Sequence, residues 1–237
     1  EKGERPLEII TTRQWFVKLL DKKGLLVKVD ENYIHNVAQN YRGKGIIEPQ
    51  IMKQWFVDVN KKVISWKGKK LSIKQVLQDT VKSGMIKIIP ENFEKTYFHW
   101  IDNLRDWCIS RQIWWGHRIP VWYCIGEDHC NLECKNPIYS AKPLKKCPYC
   151  GTAKVEQDPD TLDTWFSSGL WTFSTLGWPK KTEDLMRFTP SDVLETGYDI
   201  LFFWVARMIL MSTYALRKSG FPEEKSIPFK NVYLHGL

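Results

Sequence analysis

The stretch from Val193 to the end constrains the fold more than any other part of the chain. Val193-Leu194-Glu195 reads as a strand, Thr196-Gly197-Tyr198 as a turn, Asp199 to about Arg217 as a buried apolar helix, and Phe229 to Leu234 as a second strand. Two strands joined by a helical crossover lie parallel, so the chain is α/β and contains part of a parallel sheet. In such sheets ligands gather outside the carboxyl ends of the strands. Gly197 would let a ligand come close to the backbone there, and the Asp199 carboxylate could take two ribose hydroxyls. Asp199 is equally suited to cap a helix. His235, at the end of the second strand, is a candidate ligand contact at the same edge.

The helix is apolar, but its longest run, Ile200 to Met211, is broken by Arg207 and falls short of the roughly 18 apolar residues of a membrane span, so it reads as a core helix. The 237 residues are 43% hydrophobic and 26% charged, which excludes a disordered or collagen-like chain and allows a real core. Lysine and arginine exceed aspartate and glutamate by 35 − 27 = +8, which suits a polyanionic partner such as nucleic acid or nucleotide. The first residues, Glu1-Lys2-Gly3-Glu4-Arg5, lack the apolar run of a secretory signal, so a cytoplasmic protein is expected. With no initiator Met and an end directly after a strand, the chain reads as an internal piece of something longer.

Five of the six cysteines fall between Cys124 and Cys150. In a reducing compartment that clustering reads as metal ligation before disulfides. Cys147-Pro-Tyr-Cys150-Gly151 has knuckle spacing, and Cys130 and Cys134 supply a second pair, with Cys124 and His129 as competitors. Four thiolates leave no open position, so a structural zinc is expected. Cys108 reads as packing.

Elsewhere, Glu8 and Gln14-Trp15-Phe16-Val17 are echoed by Glu48 and Gln54-Trp55-Phe56-Val57, two similar strand-start segments that pack a Trp-Phe pair. A helical pattern spans Ser72 to Ser83, and a strand-like run covers Met85 to Ile89. Phe93, Tyr97, Trp100, Ile101 and Leu104 recur at the spacing of one helix face. The segment from Cys108 to Tyr123 interleaves cations with indole rings, a mixture suited to phosphate and a planar base. Asp158, Asp160 and Asp163 read as turn or cap residues. Trp165 and Trp204 either wall a small branched side chain or belong to the core, and Trp171 and Trp178 read as core.

Three stretches together are more specific than any one: Trp107-Cys-Ile-Ser-Arg-Gln-Ile-Trp-Trp-Gly-His through Tyr123, Asp160-Thr-Leu-Asp-Thr-Trp-Phe-Ser-Ser through Pro179, and Glu195-Thr-Gly-Tyr-Asp-Ile-Leu-Phe-Phe-Trp-Val-Ala-Arg-Met208. They closely resemble the valyl-tRNA synthetase family of class I enzymes, in the order that family carries them. The resemblance runs from about Pro90 to Leu237 and, more loosely, over the two Gln-Trp-Phe-Val segments, which look like the return from an editing insertion. It implies four parts: 1–90 as the end of the editing insertion, 91–123 as the return into the catalytic domain, 124–155 as a zinc ribbon, and 156–237 as the second half of a Rossmann-like catalytic domain.

The activity implied is ATP-dependent ligation of valine to its tRNA through a valyl-adenylate, with magnesium accompanying ATP and a monomeric whole enzyme away from membranes. By the same resemblance Trp165, Ile200 and Trp204 wall the valine side chain, while Thr196, Gly197, Asp199 and His235 hold the nucleotide. None of these is a proton-transfer catalyst. His-x-Gly-His and Lys-Met-Ser-Lys-Ser are both absent, so the chain alone is expected neither to activate valine nor to edit, and its stripped sheet edge predicts poor solubility. A standalone zinc-ribbon module that binds RNA without catalysis is the alternative reading, and a sister synthetase for isoleucine or leucine a third.

Overall fold

The structure, a computed structural model, describes residues 39, 45–47, 51–126 and 132–236. The chain divides into two compact units, Glu1–Lys53 and Gln54–Leu237. In the first, the described residues show an antiparallel bridge between Gln39 and Ile46; the Gln14-Trp15-Phe16-Val17 copy lies outside the described residues.

The second unit opens with short strands β1 (Phe56–Val57), β2 (Lys62–Trp66) and β3 (Lys69–Ser72), followed by helix α1 (Ile73–Lys82). Ser72 starts α1 through a reciprocal capping box with Gln75, and Ile73, Val76, Leu77, Thr80 and Val81 form its buried face. Strand β4 (Lys87–Ile89) and helix α2 (Phe93–Asp102) come next, then β5 (Trp107–Cys108), β6 (Ser110–Arg111) and β7 (Val121–Cys124). A three-stranded antiparallel ribbon sets β7 between β8 (Ile138–Tyr139) and β9 (Val155–Gln157). Strand β10 (Thr161–Leu162) and the short helices α3 (Thr164–Gly169), α4 (Trp171–Ser174) and α5 (Glu183–Phe188) lead to β11 (Ser191–Gly197).

From β11 the chain enters a 3-10 turn (Tyr198–Ile200), a π-helical turn (Leu201–Ala206) and helix α6 (Arg207–Lys218), and returns through β12 (Phe229–His235). β11 and β12 are parallel, as the crossover requires, and β12 pairs in parallel with β4, giving the order β11-β12-β4. Residues 54–90 share one compact unit with the remainder, because β4 completes this sheet and α1 packs on α6.

The core lies where α1, α2 and α6 cover the sheet, around Trp66, Tyr97, Phe173, Met208, Ile209 and Phe229. The continuous helical stretch Tyr198–Lys218 is long and apolar enough to cross a membrane by length and composition alone, a point hidden by the Arg207 interruption; here 56% of its apolar window is buried inside the protein. Trp178 packs against the core and donates its indole N–H to Ser219 Oγ at 3.0 Å, but Trp171 is 54% exposed and is not a core residue. The Trp-Phe pair also splits: Trp55 is half-buried while Phe56 faces solvent.

Candidate functional site

The parallel register sets Gly197 directly opposite His235, and Thr196 opposite Leu234, at the carboxyl ends of adjacent strands. Thr196 and Gly197 are buried, whereas Asp199 and His235 are exposed. Asp199 lies within the first turn of the 3-10 helix, whose cap position is Gly197, so the N-cap alternative for its carboxylate is not what the chain does. His235 Nδ1 lies 2.6 Å from the Gly236 carbonyl oxygen.

Ile200 and Trp204 follow on the 3-10 and π-helical turns, both half-buried. A π turn inserts one residue relative to α periodicity and so re-aims the side chains of its segment. Trp204 donates its indole N–H to the Ser168 carbonyl on α3 at 3.3 Å, and the Trp165 ring on α3 stacks on Phe203 at 6.1 Å. The three residues expected around a small apolar side chain thus sit on α3, the 3-10 turn and the π-helical turn, with the π-helical turn in contact with both of the others.

Trp165 is delivered by a segment held at both ends by buried carboxylates. Asp158 Oδ2 accepts the Trp55 indole N–H at 2.8 Å and the Tyr123 hydroxyl at 2.7 Å. Asp163 caps α3 by accepting the Trp165 N–H at 3.3 Å. Its other oxygen accepts the Trp107 indole N–H at 3.1 Å and pairs with Arg111 at 2.9 Å and Arg207 at 3.6 Å. Burial holds the Arg207 guanidinium below its ordinary value, with Asp163 opposing and Arg111 adding to that shift. Asp160 accepts from Gln112; beyond the turn and cap roles the sequence suggests, Asp158 and Asp163 also join distant segments.

The arginines of the 108–123 segment have partners within the protein. Arg111 pairs with Asp163, and Arg118, though exposed, donates to the carbonyls of Gln157 and Asp158, while Trp114 and Trp115 are exposed at 95% and 84%.

In the ribbon, Cys124 at the end of β7, Cys134 in a 3-10 turn, and Cys147 and Cys150 of the knuckle bring their sulfurs within 4.8 Å of one another. The Cys124–Cys150 and Cys134–Cys147 separations are 3.7 and 3.9 Å, far beyond a disulfide. They match the roughly 3.8 Å edge of a tetrahedron built on Zn–S bonds of about 2.3 Å. Gly151, at φ +74, lets the knuckle close by donating its N–H to the Cys147 carbonyl at 2.9 Å. Cys130 and His129 lie outside the described residues. Cys108 stays apart from this group, half-buried beside Gln54.

The family described as tRNA synthetases class I (I, L, M and V) matches residues 21–237. The chain belongs to this family. The valine--tRNA ligases of Clostridium tetani and Dehalococcoides mccartyi are 53% and 51% identical to it over 225 residues, which is 95% of this chain and 22% of theirs. Among solved structures, the apo form of Mycobacterium tuberculosis methionyl-tRNA synthetase aligns with a TM-score of 0.48 and 15% identity, over 85% of this chain and 30% of that one.

Within this class I synthetase segment, sequence reasoning missed the Asp163 hub. Local pattern marks Asp163 only as a turn or cap, and Arg207 only as an interruption in an apolar helix. A lone arginine inside such a run was the available signal, because a buried guanidinium needs a partner.

Proposed function

We propose that this chain is the part of a valine--tRNA ligase that binds valine and the nucleotide, in an enzyme that ligates valine to its tRNA at the expense of ATP. The observation that carries this reading is the identity of about half of all residues with valine--tRNA ligases over 95% of the chain. In the first step the valine carboxylate attacks the α-phosphorus of ATP, forming valyl-adenylate and releasing pyrophosphate. A terminal ribose hydroxyl of the tRNA then takes the acyl group and AMP leaves. Magnesium would enter with ATP and neutralise its phosphates.

In this reading Gly197, Thr196, Asp199 and His235 hold the adenosine at the strand ends, a role supported by the Gly197–His235 register. Trp165, Ile200 and Trp204 wall the valine side chain, supported by the packing of α3 on the π-helical turn. None of them moves a proton. They bind and orient, which is what adenylyl transfer asks of a protein. Cys124, Cys134, Cys147 and Cys150 would hold zinc, an all-thiolate set with no position open for catalysis, in which Cys124 stands where the sequence favoured Cys130.

The test is pyrophosphate exchange by the complete protein that contains this chain. Valine-dependent exchange, weak with isoleucine or leucine, is expected. Salt-sensitive RNA binding with no exchange would instead favour the non-catalytic module.

A further inference from the structure

One carboxylate reaches Trp165 by two routes. Asp163 holds the Trp165 backbone through Oδ1, and through Oδ2 it holds Arg207, whose guanidinium lies 5.8 Å from the Trp165 ring. The same guanidinium lies 4.4 Å from the Trp107 ring and 5.6 Å from Phe203, so it is wedged among three aromatic rings. Arg207 begins α6, directly after the turns that carry Ile200 and Trp204. A single ion pair therefore ties the start of α3 to the start of α6, next to the turns that supply the rest of the proposed valine pocket.

Stability alone does not account for this arrangement. The side chains of Asp163 and Arg207 are 6% and 14% exposed, and a buried pair of this kind is often no better than apolar residues of the same volume. The pair is also imperfect: Arg207 Nη1 has an ion-pair contact at 3.6 Å but no hydrogen bond. What the pair does supply is geometry. Beside it lies a cavity of about 560 Å³ lined by Trp107, Arg111, Phe202 and Arg207, room into which the Arg207 side chain and the Trp107 ring beneath it could shift without the charge that anchors them, leaving the Trp165 ring without its cationic neighbour.

We propose that Asp163 and Arg207 are specificity-determining positioning residues, which fix the tilt of the Trp165 ring and so the width of the pocket for the amino-acid side chain. This rests on the reading of Trp165 as a pocket wall.

The experiment is pyrophosphate exchange with valine, isoleucine and 2-aminobutyrate in the full-length enzyme carrying Arg207→Met, with Trp165→Ala as a separate control. Arg207→Met leaves Asp163 its partners Arg111 and Trp107. The expected result is a valine KM raised about tenfold, a valine preference over the other two amino acids reduced about tenfold, and an unchanged KM for ATP, the scale on which single methylenes are discriminated. Arg207→Lys keeps the charge but loses the flat stacking face, so it should lose about two- to fivefold in preference, and it serves alone if the Met variant does not fold.

Parent-like preference in these variants, or equal loss for all three amino acids and ATP, would overturn the proposal. Trp165→Ala separates the two ideas. If it leaves valine KM and preference unchanged, the pocket reading itself fails; if it shifts them while Arg207→Met does not, only the positioning role fails.

Discussion

Asp158 shows how much a single buried side chain can organise. It is 5% exposed, and it ties Trp55 near the start of the unit, Tyr123 on the ribbon strand, and its own turn through the Asp160 N–H. Tyr123 records the consequence: burial, then the Asp158 hydrogen bond and the Asp158 charge, push its phenol up to about 12. A phenol raised above the ordinary value of about 10 favours folding in its protonated form. That contribution is complete below about pH 10 and is lost as the pH rises through 10 to 12. Denaturant midpoints between pH 8 and 11 should therefore fall less steeply in Tyr123→Phe than in the parent, and equal slopes would contradict the coupling. From the sequence, Asp158 was legible only as a turn residue, because its partners lie 103 and 35 positions away in the chain.

Among elements, the contact of α3 with α6 is the one that shapes the candidate site. Gly169 permits it: a Cβ there would sit 2.9 Å from Met211 Cγ and 3.4 Å from the Arg207 carbonyl oxygen. Gly169→Ala is expected to cost about 1–3 kcal/mol by overpacking and to push Trp165 away from Phe203. A thermal melt measures the first effect and valine KM the second, and an unchanged melting point would mean the two helices are less tightly apposed than the structure has them. Helix α1 makes the opposite case for legibility. Its capping Ser72, apolar face and end at Ser83 all follow from local pattern, and the element forms where the spacing predicts. The π-helical turn did not follow, since an i to i+5 bond has no compositional signature and Leu201–Ala206 reads as ordinary helix.

At the scale of the whole molecule, the described residues form two separate hydrophobic clusters, a large one around the parallel sheet and a small one in the ribbon built on Cys134, Ile138 and Cys147. So small a cluster needs a staple, and in the proposed reading a metal held by the four cysteines provides it. Chelation should melt the ribbon, seen as a change in Trp122 fluorescence and loss of about one zinc per chain, while the sheet unit keeps its melting transition. Retention of the ribbon signal after metal removal, or Cys147→Ser binding a full equivalent of zinc, would contradict this. The sequence by itself determined the parallel crossover, the glycine at its turn, and the cysteine knuckle, because each depends on residues close together along the chain and on backbone rules that hold in any context. Only the tertiary structure decided that Cys124 joins Cys134, Cys147 and Cys150, that β4 belongs to the sheet, and that Asp163 meets Arg207. Those pairings join residues 10 to 144 positions apart, and their partners are chosen by packing and by the need of buried charge and thiolate for company, which no local pattern encodes.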